Sequence, residues 1–171
     1  AAGCYDGSVK IVDASGEVLY EGRHNGEAIW QVFWKRDAAE LSLFSAAADG
    51  CLALWSFTRS EIAFEPIMTI STQTQQGTID LFALDFNQVT NSISNLSDSV
   101  FQLDGTMYLV GTEEGCIHRC STEYDSEYLD TYKGHQLPIY AVKWNAFHPE
   151  VFLSASEDWS VRVWDARRNQ Q

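Results

Sequence analysis

The stretch SASEDWSVRVWD, residues 154–165, ends one strand in small residues, turns on Asp158 and Trp159, and runs a second strand to Trp164. The same layout occurs in YDGSVKIVD (5–13), ADGCLALWS (48–56) and EEGCIHRCS (113–121), each an acidic residue followed by a hydrophobic strand. Asp6, Asp49, Glu114 and Asp158 are therefore equivalent, and Val12, Trp55, Cys120 and Trp164 stand six residues beyond them. These acidic anchors are 43, 65 and 44 residues apart. Two of the intervals match the repeat of about 40–45 residues expected for a four-stranded blade, and the longer one holds an insertion.

Each repeat contains three or four short runs rich in Val, Ile, Phe, Trp and Tyr, broken by Gly, Asn, Asp or Ser, with no helical periodicity. The second reads IWQVFW, LSLFSAA, CLALWSF and IAFEPIMTI, four strands in meander order. The expected fold is all-β, a β-propeller fragment of about three to four four-stranded blades. Residues 1–22 form the end of one blade and keep its last two strands. Residues 23–70 form the second, 71–133 the third, and 134–171 an incomplete fourth. The third carries the insertion 87–105, rich in Asn, Ser and Asp, a surface loop and candidate contact arm. Propellers close with at least about four blades, so the chain reads as a piece of a larger ring and of a longer polypeptide.

At 171 residues, 45% hydrophobic and 13% aromatic, the chain has enough apolar material for an ordinary core. No apolar run reaches the length of a membrane span, and no secretory leader is visible. A formal charge of -13 without a basic patch argues against nucleic acid and against anionic membrane surfaces as partners. Cys4, Cys51, Cys116 and Cys120 follow no metal-ligand or disulfide spacing and read as buried reduced thiols. His118 and His148 lack ligand-spaced partners; no cofactor, metal or phosphate loop is implied.

In the fourth repeat His135 precedes the first strand, Ser154 and Ser156 lie on the second, Asp158 is in the turn and Trp164 ends the third. These positions resemble the structural tetrad of the WD-repeat family, in which Trp, Ser or Thr, His and Asp satisfy one another's buried polar groups. His, Ser and Asp also suggest a hydrolase triad, but His24, Ser45, Asp49 and Trp55 repeat the set in the second blade. Catalytic triads are not duplicated blade by blade, so the chain is read as no enzyme. The third repeat has Thr112 and Glu114, but Cys120 replaces Trp and no His precedes Leu81, leaving packing alone to hold that blade.

Aligning IWQVFW, LFALDF and IYAVKW puts Trp30, Phe82 and Tyr140 at one position. The aliphatic residue before each and the Val or Leu two places after it are three apart, so both face the core only if a bulge shifts the phase. Such a bulge re-aims the aromatic, and the three together form a candidate partner-binding arc. Trp159, on an exposed turn, is expected to pack against a neighbouring blade or a partner.

Three further segments carry a family resemblance: IWQVFWKRD with LSLFSAAADGCLALW, YLVGTEEGCIHRCSTEYDSEYLDTYKGH, and VKWNAFHPEVFLSASEDWSVRVWD. The chain resembles WD-repeat dynein intermediate chains, most closely the axonemal outer-arm type. That resemblance implies a ring of about seven blades. It also implies a non-catalytic scaffold that binds a dynein heavy-chain tail and pairs with a second intermediate chain, anchoring motors on doublet microtubules in the cytoplasm, cytoskeleton and cilium axoneme. Light chains would bind through segments outside this chain. The competing expectation is a WD-repeat adaptor of another assembly, such as a ubiquitin ligase or trafficking complex.

Overall fold

A computed structural model describes residues 1–24, 26–36, 41–57, 62–69, 79–87, 106–124 and 128–168. Among these, every regular element is a strand, and every sheet is an antiparallel meander. The first sheet is β1 (Ala2–Gly3), β2 (Ser8–Val12) and β3 (Val18–Arg23). The second is β4 (Ile29–Arg36), β5 (Leu41–Ala47), β6 (Cys51–Phe57) and β7 (Ile62–Thr69). The third is β8 (Leu81–Phe86), β9 (Met107–Thr112), β10 (Cys116–Ser121) and β11 (Asp130–Lys133). The fourth is β12 (Ile139–Trp144), β13 (Val151–Ser156) and β14 (Val161–Asp165). No helix of the described residues is long and apolar enough to cross a membrane.

The first repeat departs from its expected two strands. Ala2 and Gly3 pair with Lys10 and Val9 to add β1, which is too short to show any alternation of side-chain character. Strand β3 also runs to Arg23, one residue beyond the expected boundary at 22. In the third sheet the Asn87 amide donates to the Met107 carbonyl at 2.9 Å and closes the base of the insertion. Residues 88–105, with the Asn-Leu-Ser triplet at 95–97, lie outside the described residues.

Turn chemistry explains the repeated acid. Asp6 and Asp49 each accept the amide two residues on, at 3.0 and 2.9 Å, and a glycine follows at positive φ, Gly7 at 78° and Gly50 at 74°. Asp158 makes the same bond to the Ser160 amide at 2.9 Å. There Trp159 takes the left-handed conformation at φ 64°, one that a bulky residue seldom adopts.

The core lies between sheets. One apolar cluster joins Val9 to Ile29, Leu43 and Trp55; a second joins Phe44 and Leu52 to Leu81, Phe86 and Tyr108; a third joins Leu109 and Tyr132 to Ile139, Phe152 and Trp164. Each sheet thus contributes one face to the next interface, as blades of a propeller do. First strands meet side by side, and side chains tie their edges. Gln31 donates to the Leu84 carbonyl at 2.9 Å and accepts from its amide at 2.6 Å. Asp85 accepts the Trp144 amide at 2.8 Å and Lys143 Nζ at 2.6 Å. The bonds to Leu84 and Trp144 occupy backbone groups that an open sheet edge would leave unpaired.

A small residue three places before each acidic anchor receives the aliphatic side chain that opens the next first strand. A Cβ added to Gly3 would stand 2.4 Å from Ile29 Cγ2, and one on Gly111 2.8 Å from Ile139 Cγ2. Ala46 occupies the same place before Leu81, within the same cluster. Gly111→Val should therefore destabilise the intact protein by about 1–3 kcal/mol through overpacking. Combining it with Ile139→Ala should recover part of that loss in a denaturant double-mutant cycle; strict additivity would mean that the two side chains do not compete for one space.

Candidate protein-interaction face

In the fourth blade Trp164 Nε1 donates to Ser154 Oγ at 2.8 Å, and His135 Nε2 lies 2.7 Å from the same oxygen. His135 Nδ1 lies 2.8 Å from Asp158 Oδ2. The chain of contacts therefore runs from strand β14 through β13 to the loop before β12 and back to the turn. Hydrogen bonds from Ser160 and the Gln136 amide, together with His135, hold the Asp158 carboxyl well below the usual carboxylate range. Ser156 stands apart from this chain. Its hydroxyl donates to the Leu137 carbonyl at 2.9 Å and accepts the Asp158 amide at 3.2 Å, so it ties the turn to the preceding loop.

Ser154, His135 and Asp158 have the distances of a nucleophile, base and orienting acid. Ser154 is nonetheless fully buried, and its oxygen already takes the indole N–H, so a substrate carbonyl has no approach to it. The second blade repeats the plan with Trp55 Nε1 donating to Ser45 Oγ at 2.8 Å and His24 Nδ1 3.3 Å from Asp49 Oδ2. Burial lowers the pKa of His24, with Asp49 opposing that shift. His24, Asp49 and Cys51 bring possible metal-ligand atoms within 4.8 Å of one another. The corresponding residues of the fourth blade are His135, Asp158 and Ser160, which hydrogen-bond to each other, so this grouping arises from blade geometry without calling for an ion.

Exposed chemistry gathers where the first strands begin. Register shifts fall between Ile29 and Gln31, Leu81 and Ala83, and Ile139 and Ala141, so the residue inside each bulge is Trp30, Phe82 or Tyr140. Trp30 and Phe82 stand 5.2 Å apart between ring centroids, and Phe82 and Tyr140 5.3 Å apart, with the planes steeply inclined. The rings form one continuous arc across three blades. Trp30 is 46% and Tyr140 55% exposed, with Phe82 half-buried between them. The packing that places them side by side thus leaves ring surface open to solvent.

Trp159 is 99% exposed, so it packs on no blade among the described residues. Tyr5, 85% exposed and one place before its acidic anchor, is a large apolar surface group that the repeat alignment passed over. Asp80 and Glu157 were also missed. The side chain of Trp30 is near enough to Asp80 to favour its charged form, and Tyr140 donates to Glu157 Oε2 at 3.2 Å. Aligning the residue before each first strand and the residue before each anchor would have brought both acids to the same end of the blades as the arc.

The WD domain, G-beta repeat family matches residues 126–165. The 78 kDa intermediate chain of the flagellar outer-arm dynein of Chlamydomonas reinhardtii is 38% identical over 177 residues, covering 91% of this chain and 24% of its own length. Dynein intermediate chain 2, ciliary, of Heliocidaris crassispina is 35% identical over 146 residues, covering 84% and 20%. The mouse axonemal intermediate chain 1 is 34% identical over 173 residues, covering 95% and 24%. This is a WD-repeat chain similar to axonemal dynein intermediate chains. It spans about a fifth to a quarter of the length of those relatives. Two solved structures share the fold: a computationally designed protein, Ika8, at TM-score 0.62 and 19% identity, covering 99% of this chain and 43% of its own, and a chain of a mitotic checkpoint complex at 0.71 and 15%, covering 98% and 44%.

The third WD repeat has polar ties of its own, a correction to the expectation that packing alone holds it. Thr112 Oγ1 donates to the Cys116 carbonyl at 3.1 Å and accepts its amide at 3.3 Å, which closes the turn in place of an aspartate. His118 Nδ1 lies 3.0 Å from Thr131 Oγ1, the imidazole stacks on Tyr128 at 4.2 Å, and Arg119 pairs with Asp130. Cys120 fills the Trp position fully buried, its thiol pushed up to about 12 by burial, whereas Cys4 and Cys116 are only half-buried, contrary to expectation.

Trp164→Ala should cost about 3–5 kcal/mol in the intact protein and leave Ser154 short of a partner, whereas Cys120→Ala should cost clearly less. Equal losses in denaturant midpoint at unchanged slope would contradict a role for the Trp164 hydrogen bond. Burial first, then Lys133, lowers His118 to about 4 from its ordinary 6.5. Because the folded value is depressed, this histidine contributes stability that is fully present above the unfolded value and is lost as pH falls from 6.5 to about 4. The loss should reach about 3 kcal/mol, and urea midpoints of a His118→Gln variant should fall less steeply over that window.

Proposed function

We propose that this chain belongs to a non-catalytic scaffold subunit of an axonemal outer-arm dynein and that its propeller binds the tail of a dynein heavy chain. In this reading a second intermediate chain pairs with it, light chains bind through segments outside these residues, and the complex works at the cytoskeleton of the cilium axoneme. The observation that carries the reading is the similarity to three intermediate chains, 34–38% identical across 84–95% of this chain. The arc of Trp30, Phe82 and Tyr140 supports it as a contact surface, because large aromatic groups dominate the binding energy of protein interfaces.

The test is capture of heavy chains from axonemal extract by the intact protein. Replacing Trp30 and Tyr140 together with Ser should weaken that capture by about 2 kcal/mol or more while leaving the melting temperature nearly unchanged. A double variant that melts early yet captures heavy chains normally when folded would make the arc a packing feature. Failure of the unaltered protein to capture any heavy chain would overturn the dynein reading as a whole.

A further inference from the structure

The outer rings of the arc each lie beside an acid: Trp30 near Asp80, and Tyr140 bonded to Glu157. Part of each ring's surface remains open to solvent beside these acids. The backbone draws the acids to the arc as well, since the Glu113 amide donates to the Asp80 carbonyl at 3.1 Å and the Glu157 amide to the Pro138 carbonyl at 2.9 Å. Burial, and then the charges of Glu113, Glu27 and Asp49, all of one sign, raise the Asp80 carboxyl above the ordinary range. An electron-rich aromatic surface is thus edged by carboxylates that repel one another, on a chain of formal charge -13.

We infer that this arc takes a protein segment through its arginine side chains, whose guanidinium groups stack on Trp30 and Tyr140 and pair with Asp80 and Glu157. The inference rests on the reading of the arc as an interface and adds the chemistry of what it holds. A guanidinium is planar, weakly hydrated and forked, so it can cover a ring face and meet a carboxylate together. A purely apolar segment would cover the rings but leave the acids partly desolvated without a countercharge. Centroid steps of 5.2 and 5.3 Å separate Trp30 from Phe82 and Phe82 from Tyr140. Arginines about three residues apart on an extended segment match that span at about 3.3 Å per residue.

The experiment uses the intact protein and two synthetic peptides of one length, the first with two arginines three residues apart in a Gly-Ser background, the second with citrulline at both places. Citrulline keeps the shape and removes the charge. Titrated by calorimetry, the arginine peptide should bind about tenfold or more tightly than the citrulline peptide, and the difference should shrink as salt rises. Asp80→Asn with Glu157→Gln should abolish the difference while the melting temperature holds. Equal binding of both peptides, or binding of neither, would overturn the inference. Heavy-chain capture separates it from the proposed function. Capture lost in the Trp30 and Tyr140 variant but kept in the Asp80 and Glu157 variant would mean an apolar interface, overturning the inference and sparing the function. Capture kept in both variants while the arginine peptide still binds the arc would support the inference and remove the arc from heavy-chain binding.

Discussion

A pleated strand sends residues three apart to opposite faces, yet each first strand here holds two aliphatic side chains at that spacing against the core. Ile139 is fully buried and Val142 nearly so, as are Leu81 and Leu84. Only an extra residue between them reconciles the two, and the bulges supply it at Trp30, Phe82 and Tyr140. The residue inside a bulge belongs to neither face of the strand. Burial of the aliphatic pair thus forces a side chain out at the mouth of each blade, and an aromatic there reaches the next across the blade boundary. Core packing and the candidate contact surface follow from one irregularity in the pleat.

The buried polar groups follow a different logic. Two blades join Trp, Ser, His and Asp positions in one grouping, and between sheets Gln31 and Asp85 engage neighbouring backbone through their side chains. The third repeat keeps neither the Trp nor the His, and its polar ties move outward to β10 and β11, where His118, Thr131, Arg119 and Asp130 meet. A blade can relocate its hydrogen bonds because what must be met is the satisfaction of buried groups, not any one set of residues.

The all-strand architecture and the order of its blades were readable because they rest on recurrence: acid-glycine turns, strand-length apolar runs and a near-constant interval. The phase conflict in the first strands also announced itself, since a fixed period of two admits few escapes. Choice among near-equivalent atoms was harder. Ser154 and Ser156 share a face of β13, and spacing left open which of them meets His135; their height along the strand decides it. Strand β1 escaped notice because two residues carry no period. The surroundings of Trp159 were not readable from residue size, because a large apolar side chain on a turn suits a neighbouring blade or a partner equally, and the described residues leave it exposed. Asp80 and Glu157 went unremarked since single carboxylates are common on surfaces and acquire meaning only beside Trp30 and Tyr140.

The small residues at Gly3, Ala46 and Gly111 have a consequence for how such a chain can change over generations. Each blade offers a hollow to the blade that follows and inserts an aliphatic side chain into the blade before it, so the repeats are related like successive links with a front and a back. Gly3 and Gly111 admit the β-branched Ile29 and Ile139, while Ala46 goes with Leu81. A repeat can therefore drift far in the residues it uses internally, as the third has done, but its two joints are shared property. Change at one side of a joint is viable when the adjoining repeat has changed to match, so inheritance acts on pairs of neighbours. Transplanting one repeat between chains would carry two mismatched joints with it, whereas exchanging a run of repeats would disturb only the joints at its ends.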